Sequence, residues 1–535
     1  MRNRPARYSR LAVAALAGAL VLTACADTGD DKSSSSDKTD NSAMYVAGLV
    51  GDQSAGTPKK GGTLEVIEYG EARSLDPTKT IPNGAVGGNA LAAIYDVLMS
   101  YDPATGEYSP LMAKSLETKD SKTWTLTLRD GVNFTDGTPL NAQAVVASIG
   151  YYMQNQGFNT LLLHTNISKM TPQGDNTVVF TLNKPWATFP AMLAAGPGMI
   201  LAPAAIAGGP EKFKPIGAGP FKFDTYKPAE ELILSRNEKY FGEAPNLDKL
   251  RFTWVQADQA KLDSLKAGSA DVISVRTAGV LENARKDGFA GAMSPAGISQ
   301  VVWINNREGR GGSDERLRKA INLATNPEQY LDRTQGGAGQ PTRGLYSEAF
   351  AYYKEIELPE QNIAEAKKLV AEAKADGADT SLSYITQSDQ TSQTGAVTLE
   401  AQLEAVGFDI EVELLRDITE QTTRLYVKKD FDLAMGSMSL SEDPYMSFAN
   451  NVVSTSPANP SGYANKEMDA LVADLQTKMP VEAVDTLAEI NALWQETVPG
   501  AVISAGGFFS PWGKNVHGVV PTGVNMLLFH KAWKS

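Results

Sequence analysis

The chain has 535 residues, a net charge of −13, three histidines and a single cysteine. The acidic balance argues against nucleic acid and against charge-driven binding to anionic lipid. One cysteine excludes an intrachain disulfide, the dispersed His164, His517 and His530 exclude a Cys/His metal site, and the length exceeds what one core serves, so two or three domains are expected.

The first 24 residues carry Arg2, Arg4, Arg7 and Arg10 and no acid, followed by the uncharged run "LAVAALAGALVL" (11–22). That run is too short to span a bilayer as a helix and suits a signal-peptide core over residues 1–24. Its removal takes the net charge to −17. Leu22-Thr23-Ala24-Cys25 resembles the bacterial lipobox, whose cysteine carries the lipid, so Cys25 is expected to be an attachment point rather than a redox or catalytic group. Residues 25–57 are rich in Ser, Asp, Lys and Thr and predict a disordered tether; the apolar "MYVAGLV" (44–50) interrupts it without an evident reason.

"GGTLEVIEYG" (61–70) alternates as a strand and runs into the turn "SLDP" (74–77). "LAAIYDVLMSYDPATGEYSP" (91–110) predicts a helix ending in a Pro/Gly turn, and "TWTLTLRDGVNFTDGTPL" (123–140) a hairpin-like β region. Asn141 caps a predicted helix over 141–153, "TVVFTLNKP" (177–185) is a strand, and "GAGPFKFDTYKP" (217–228) with "ELILSRNEKYF" (231–241) form a turn and paired strands. Trp124, Trp186 and Trp254 read as core; Trp303, in "QVVWINN", reads equally as core or as the lining of a crevice.

Between 381 and 438 the pattern is strand, helix, strand, helix, strand, which signifies a mainly parallel sheet with right-handed crossovers. Ligands of such sheets bind beyond the carboxyl ends of the strands, so the loops after 386, 415 and 436 border a crevice. Residues 464–495 predict two helices around Met479-Pro480. HExxH, G-x-S-x-G and the P-loop pattern do not occur, and carboxylate pairs such as Glu442/Asp443 arise by chance among 62 acids. A surface-anchored hydrolase is therefore the least favoured class.

"GGTLEV…SLDP", "IYDVLMSYDPATGEYSPLMAKSLE", "TWTLTLRDGVNFTDGTPLNAQAVVAS", "GAGPFKFDTYKP" and "LSRNEKYFGEAPNLDKLRF" together resemble the family 5 extracellular solute-binding proteins of ABC importers. "DERLRKAINLAT", "AEAKKLVAEA" and "SPWGKNVHGVV" extend the similarity over roughly residues 60–535. The resemblance implies an α/β, two-lobed, periplasmic-binding-protein-like fold of type II, in its large variant. Lobe I would be 58–310 plus 500–535, with a subdomain inserted near 86–216, and lobe II 311–499.

It also implies a monomer without catalytic residue, cofactor or metal, held by lipid at the extracellular face of the cytoplasmic membrane. Such a protein captures a peptide or peptide-like solute and hands it to a permease driven by an ATPase. An oligosaccharide, stacked on Trp303, is the alternative ligand, and a sensory or chaperone-like role shares the fold.

Peptide-binding members carry G-W-x-x-D-x-x-[DE]-P, whose aspartate pairs with the ligand's α-amine. Here Ser437 stands for the tryptophan and Leu440 for the aspartate, before Glu442-Asp443-Pro444. A leucine cannot neutralise a buried ammonium. Either Glu442 or Asp443 serves, or the ligand lacks a free α-amine; the second is preferred. The resemblance carries Glu71 and Arg73 over as ligand-flanking candidates. Tyr69 and Met438 are expected to line the site. Arg416 either meets a carboxylate or, as is more expected, pairs at the rim with Asp417 or Glu420.

Overall fold

The computed structural model describes residues 42–53, 56–416, 418–440 and 443–535. The signal segment, Cys25 and the tether to residue 41 lie outside them, as do Asp417, Ser441 and Glu442.

The apolar interruption at 44–50 belongs to the folded body, which corrects the expectation of disorder over that stretch. Tyr45 is 1% exposed and its hydroxyl donates to Glu282 at 3.2 Å. Strand β1 (Gly48–Val50) pairs antiparallel with residues 291–293. Burying side chains such as Tyr45 stabilises by about 1.5–3 kcal/mol each, enough to order a short segment in a polar tether.

Strand β2 (Thr63–Glu68) alternates as its sequence predicts. The helix Gly88–Tyr95 ends sooner than expected, at Asp96, whose φ is 58°. The "DPATGEY" stretch is then a hairpin turn between β3 (Met99–Asp102) and β4 (Glu107–Pro110). β5 (Ala113–Thr118), β6 (Thr123–Leu128), β7 (Ile167–Gln173) and β8 (Thr177–Leu182) form an antiparallel sheet in the order β5-β6-β8-β7. β6 therefore pairs with the preceding β5 and the distant β8, and the expected hairpin over 123–140 keeps only the bridge between Asn133 and Pro139. Helix Ala142–Gln154 is capped by Asn141, whose side chain accepts from Ala144 N at 2.9 Å.

Most of the remaining strands build one twelve-stranded sheet, while four short ones between 516 and 534 form two small pairs. The strands of the large sheet are β9 (Phe221–Lys227), β10 (Glu231–Arg236), β11 (Lys249–Trp254), β12 (Val272–Ile273), β13 (Ala290–Ile304), β14 (Gln340–Pro341), β15 (Ser381–Gln387), β16 (Asp409–Leu415), β17 (Leu433–Met438) and β18 (Gly500–Trp512), joined by β1 and β2. The main path is β16-β15-β17-β13-β18-β12-β2-β11-β10-β9. β13 and β18, with 15 and 13 residues, run antiparallel through both halves.

On one side β2 is parallel to both β11 and β12. On the other β15 is parallel to both β16 and β17. β12 is antiparallel to β18, and β17 is antiparallel to β13. The two parallel sets therefore run toward each other, and their carboxyl ends converge on the middle of the β13–β18 pair. There, between Val275↔Phe509 and Ser299↔Met438, the register slips between Ser294 and Ile298, and it slips again just beyond, between Gln300 and Val301. Such irregularities bend a strand and weaken its ladder locally.

Each half has its own core. Leu382, Tyr384, Ile410 and Leu433 pack with Val370, Leu399 and Leu403 beneath one parallel set. Ile67, Ile273, Leu262, Leu281, Met293 and Phe509 pack beneath the other. A mixed α/β body of two lobes joined by long strands results, and the join lies where strand ends meet.

Candidate functional site

On the first bank, β2 ends at Glu68 and the chain continues through Tyr69, Glu71 and Arg73. Glu68 is buried; its Oε2 accepts from Gly87 N at 2.9 Å, where helix Gly88–Tyr95 begins. Burial pushes its carboxyl up to about 8, against the pull of nearby Asn89, Gly87 and Lys261. Tyr69 is half-buried and fixed by its N–H, which donates to Ala85 O at 3.0 Å. Glu71 accepts from the Tyr226 hydroxyl and from Ala229 N at 3.0 Å, so it ties the loop to β9 and the turn after it. Arg73 is exposed.

Beside Tyr69 lies a group that sequence reading missed. The Arg276 guanidinium stands 3.9 Å from the centre of the Tyr69 ring, and Lys261 Nζ lies 5.6 Å from it. Arg276 follows the carboxyl end of β12. Its backbone N–H and that of Thr277 donate to Asp258 Oδ2 at 2.9 and 2.7 Å. Asp258 in turn pairs with Lys261 at 2.8 Å, and both are almost fully buried. Burial drives Asp258 upward, but Lys261 and the two backbone donors outweigh it and hold the carboxyl below its usual range. Burial lowers Lys261, which Asp258 only partly offsets.

On the second bank, Arg416 is exposed after β16, with its backbone N–H donating to Glu420 at 3.1 Å. Ser437 is exposed, whereas Met438 (2% exposed) and Leu440 (0%) pack into the largest core cluster. Met438 is therefore a packing residue, which corrects its expected lining role.

Asp443 is also corrected as an amine partner. It is 4% exposed, its Oδ2 accepts from Thr188 Oγ1 at 2.8 Å and its Oδ1 from Tyr445 N at 3.1 Å. Trp186 Nε1 donates to the same Thr188 hydroxyl at 3.0 Å and its ring meets Tyr445 edge-on at 5.7 Å. Asn166 accepts from Gln476 Nε2 at 2.6 Å, and Gln476 O accepts from Ala187 N at 2.9 Å. These bonds join the segment before and after β8 to the two helices that follow β17. Glu442, the other candidate, lies outside the described residues.

Trp303 has no exposure, meets Trp494 edge-on at 5.7 Å, and is roofed by Gly436, where a Cβ would come within 2.5 Å of its ring. It is core, and the stacking platform imagined for a sugar is absent there. A small apolar pocket of about 50 Å³ flanks the join, lined by Met293, Pro295, Phe350, Tyr352 and Phe508 among others. Among the described residues no group of three or more His, Cys, Asp or Glu side chains is placed to hold a metal, and no helix is long and apolar enough to cross a membrane.

The model for "Bacterial extracellular solute-binding proteins, family 5 Middle" matches residues 107–460. The "Probable D,D-dipeptide-binding periplasmic protein" of Escherichia coli is 26% identical over 428 residues, covering 76% of this chain and 81% of that protein. Protein XP55 of Streptomyces lividans is 26% identical over 402 residues, 70% of this chain and 72% of its own. Among solved structures, a Helicobacter pylori periplasmic binding protein in complex with the peptide STSA superposes with a TM-score of 0.75 at 22% identity, over 89% of this chain and 98% of that one. An oligopeptide-binding protein of Bacillus subtilis in complex with a nonapeptide gives 0.75 at 22% identity, over 90% of this chain and all of its own.

Proposed function

The chain belongs to the family 5 extracellular solute-binding proteins of bacteria, and from that membership we propose that it captures a peptide or peptide-like solute between its lobes for an ABC importer. The observation that carries this reading is the convergence of two sets of strand carboxyl ends on a paired, register-shifted crossing. Bending there would close one bank on the other, and a solute drives closure to the extent that it binds the closed arrangement better. The ligands for which the relatives and neighbours are named, a D,D-dipeptide, the peptide STSA and a nonapeptide, support the peptide class.

With Leu440 buried and apolar and Asp443 committed to Thr188 and Tyr445, a carboxylate partner for a ligand α-amine is missing from the described part of this loop. The reading therefore favours a solute whose α-amine is blocked or absent. Residues 58–310 plus 500–535 and residues 311–499 are assigned to the two lobes, with residues 86–216 inserted in the first.

Cys25 is assigned the lipid that holds the monomer at the outer face of the cytoplasmic membrane, where it delivers solute to a permease and its ATPase. Two or three acyl chains anchor firmly, each buried CH₂ adding about 0.8 kcal/mol. Cys25→Ser should move the protein from the membrane to the soluble fraction.

Mass spectrometry of solute co-purifying with the protein, followed by a thermal-shift panel of free, N-acetylated and C-amidated peptides and of sugars, tests the ligand class. A ligand at 100 times its Kd stabilises by about 2.7 kcal/mol. A shift with oligosaccharides and none with peptides would overturn the reading.

A further inference from the structure

We propose that Arg276, stacked on Tyr69, is the receptor for a ligand carboxylate on the first bank of the cleft. The inference rests on the peptide-class reading above and adds the chemistry of one end of the ligand.

Three independent features converge on this side chain. Its place comes first: Arg276 leaves the carboxyl end of β12 one residue after Val275 bridges Phe509 of the crossing strand. Three residues on, Gly279 lies under Ala338 of the opposite lobe, 3.7 Å from where a Cβ would stand, and Glu282 Oε1 accepts from Gly339 N at 3.0 Å. Arg276 thus stands where the two lobes meet.

Its preparation comes second. The buried Asp258–Lys261 pair clamps the backbone of 276 and 277, and the guanidinium carbon sits over the Tyr69 ring, 3.9 Å from its centre. A guanidinium fixed in this way still offers its edge N–H groups, which match a carboxylate in bidentate geometry, and it loses little freedom on binding.

Its charge comes third. Arg276 is exposed, and among the described residues no carboxylate forms a salt bridge with it. Asp258 is already paired with Lys261, and burial raises the Glu68 carboxyl and so disfavours its charged form. The buried arginines Arg343 and Arg318 are by contrast engaged by backbone carbonyls, Arg343 by those of Asn322 and Thr325 and Arg318 by those of Gly312 and Thr497. Among the described residues the Arg276 side chain donates to no backbone carbonyl, so its N–H groups are open to solvent and available to a solute.

The test is titration calorimetry of N-acetylated tripeptides, each as free acid and as C-terminal amide, against the unmodified chain, Arg276→Gln and Arg276→Lys. The unmodified chain should prefer the acid by roughly 10- to 100-fold, the span a charge-assisted hydrogen bond supports. Arg276→Gln should erase the preference, and Arg276→Lys should keep part of it. Because the side chain is exposed, each variant should show unchanged circular dichroism. Binding of acid and amide with equal affinity, or a preference that survives Arg276→Gln, overturns the carboxylate site alone. Failure of every peptide to bind overturns the peptide reading and this site with it.

Discussion

Glu68, Asp96 and His530 set the chain's response to pH. Burial pushes Glu68 up to about 8 and Asp96 up to about 7, even though Tyr240 donates to Asp96 at 2.6 Å. From about 4.5 to about 8 the folded chain keeps protons that the unfolded chain has released, so these two groups make stability fall as pH rises through that window. His530 acts in the opposite sense. Burial pulls it from 6.5 down to about 4, so the unfolded chain binds the extra proton and stability is lost as pH falls through that range. Over the window they share, the two carboxyls outweigh the single imidazole, so the melting temperature should fall as pH rises from about 4.5 to about 8. Glu68→Gln should make that fall shallower; an unchanged slope would show that Glu68 ionises freely in the fold.

At the scale of elements, the bonds between the β8 region and the helices after β17 form a clasp. Thr188 and Asp443 are 255 positions apart, and Trp186, Tyr445, Asn166 and Gln476 surround them. Thr188→Ala and Asp443→Ala should each destabilise the chain by about 1–3 kcal/mol, since each leaves a buried partner unsatisfied. Their double mutant should show a coupling of about 0.5–3 kcal/mol in urea unfolding. Strict additivity would mean that the two groups do not act through one bond.

The clasp also shows where sequence reading stops. The parallel set β15–β16–β17 was legible because alternation in "DIEVELL" and the glycine-terminated helix before it are local patterns. The length of β13, the pairing of β6 with β8, and the use of Asp443 depend on partners more than fifty residues away. Arg276 carried no local signal at all, because its stacking partner Tyr69 lies at the end of another strand. Trp303 was ambiguous for the same reason; its partners Trp494 and Gly436, more than a hundred residues away, make it core.

For the molecule as a whole, the central claim is that two lobes on a bendable strand pair hold one solute and release it unaltered. The antiparallel β13–β18 ladder keeps the lobes in register, and its slipped middle is where a bend distorts the fewest hydrogen bonds. Titration calorimetry with the solute recovered from the purified protein, followed by mass spectrometry of the same solution, tests this most directly. The account predicts saturation at one solute per chain, with the solute's mass unchanged after prolonged incubation. Binding that does not saturate at that ratio, or a solute returned in chemically altered form, would contradict it.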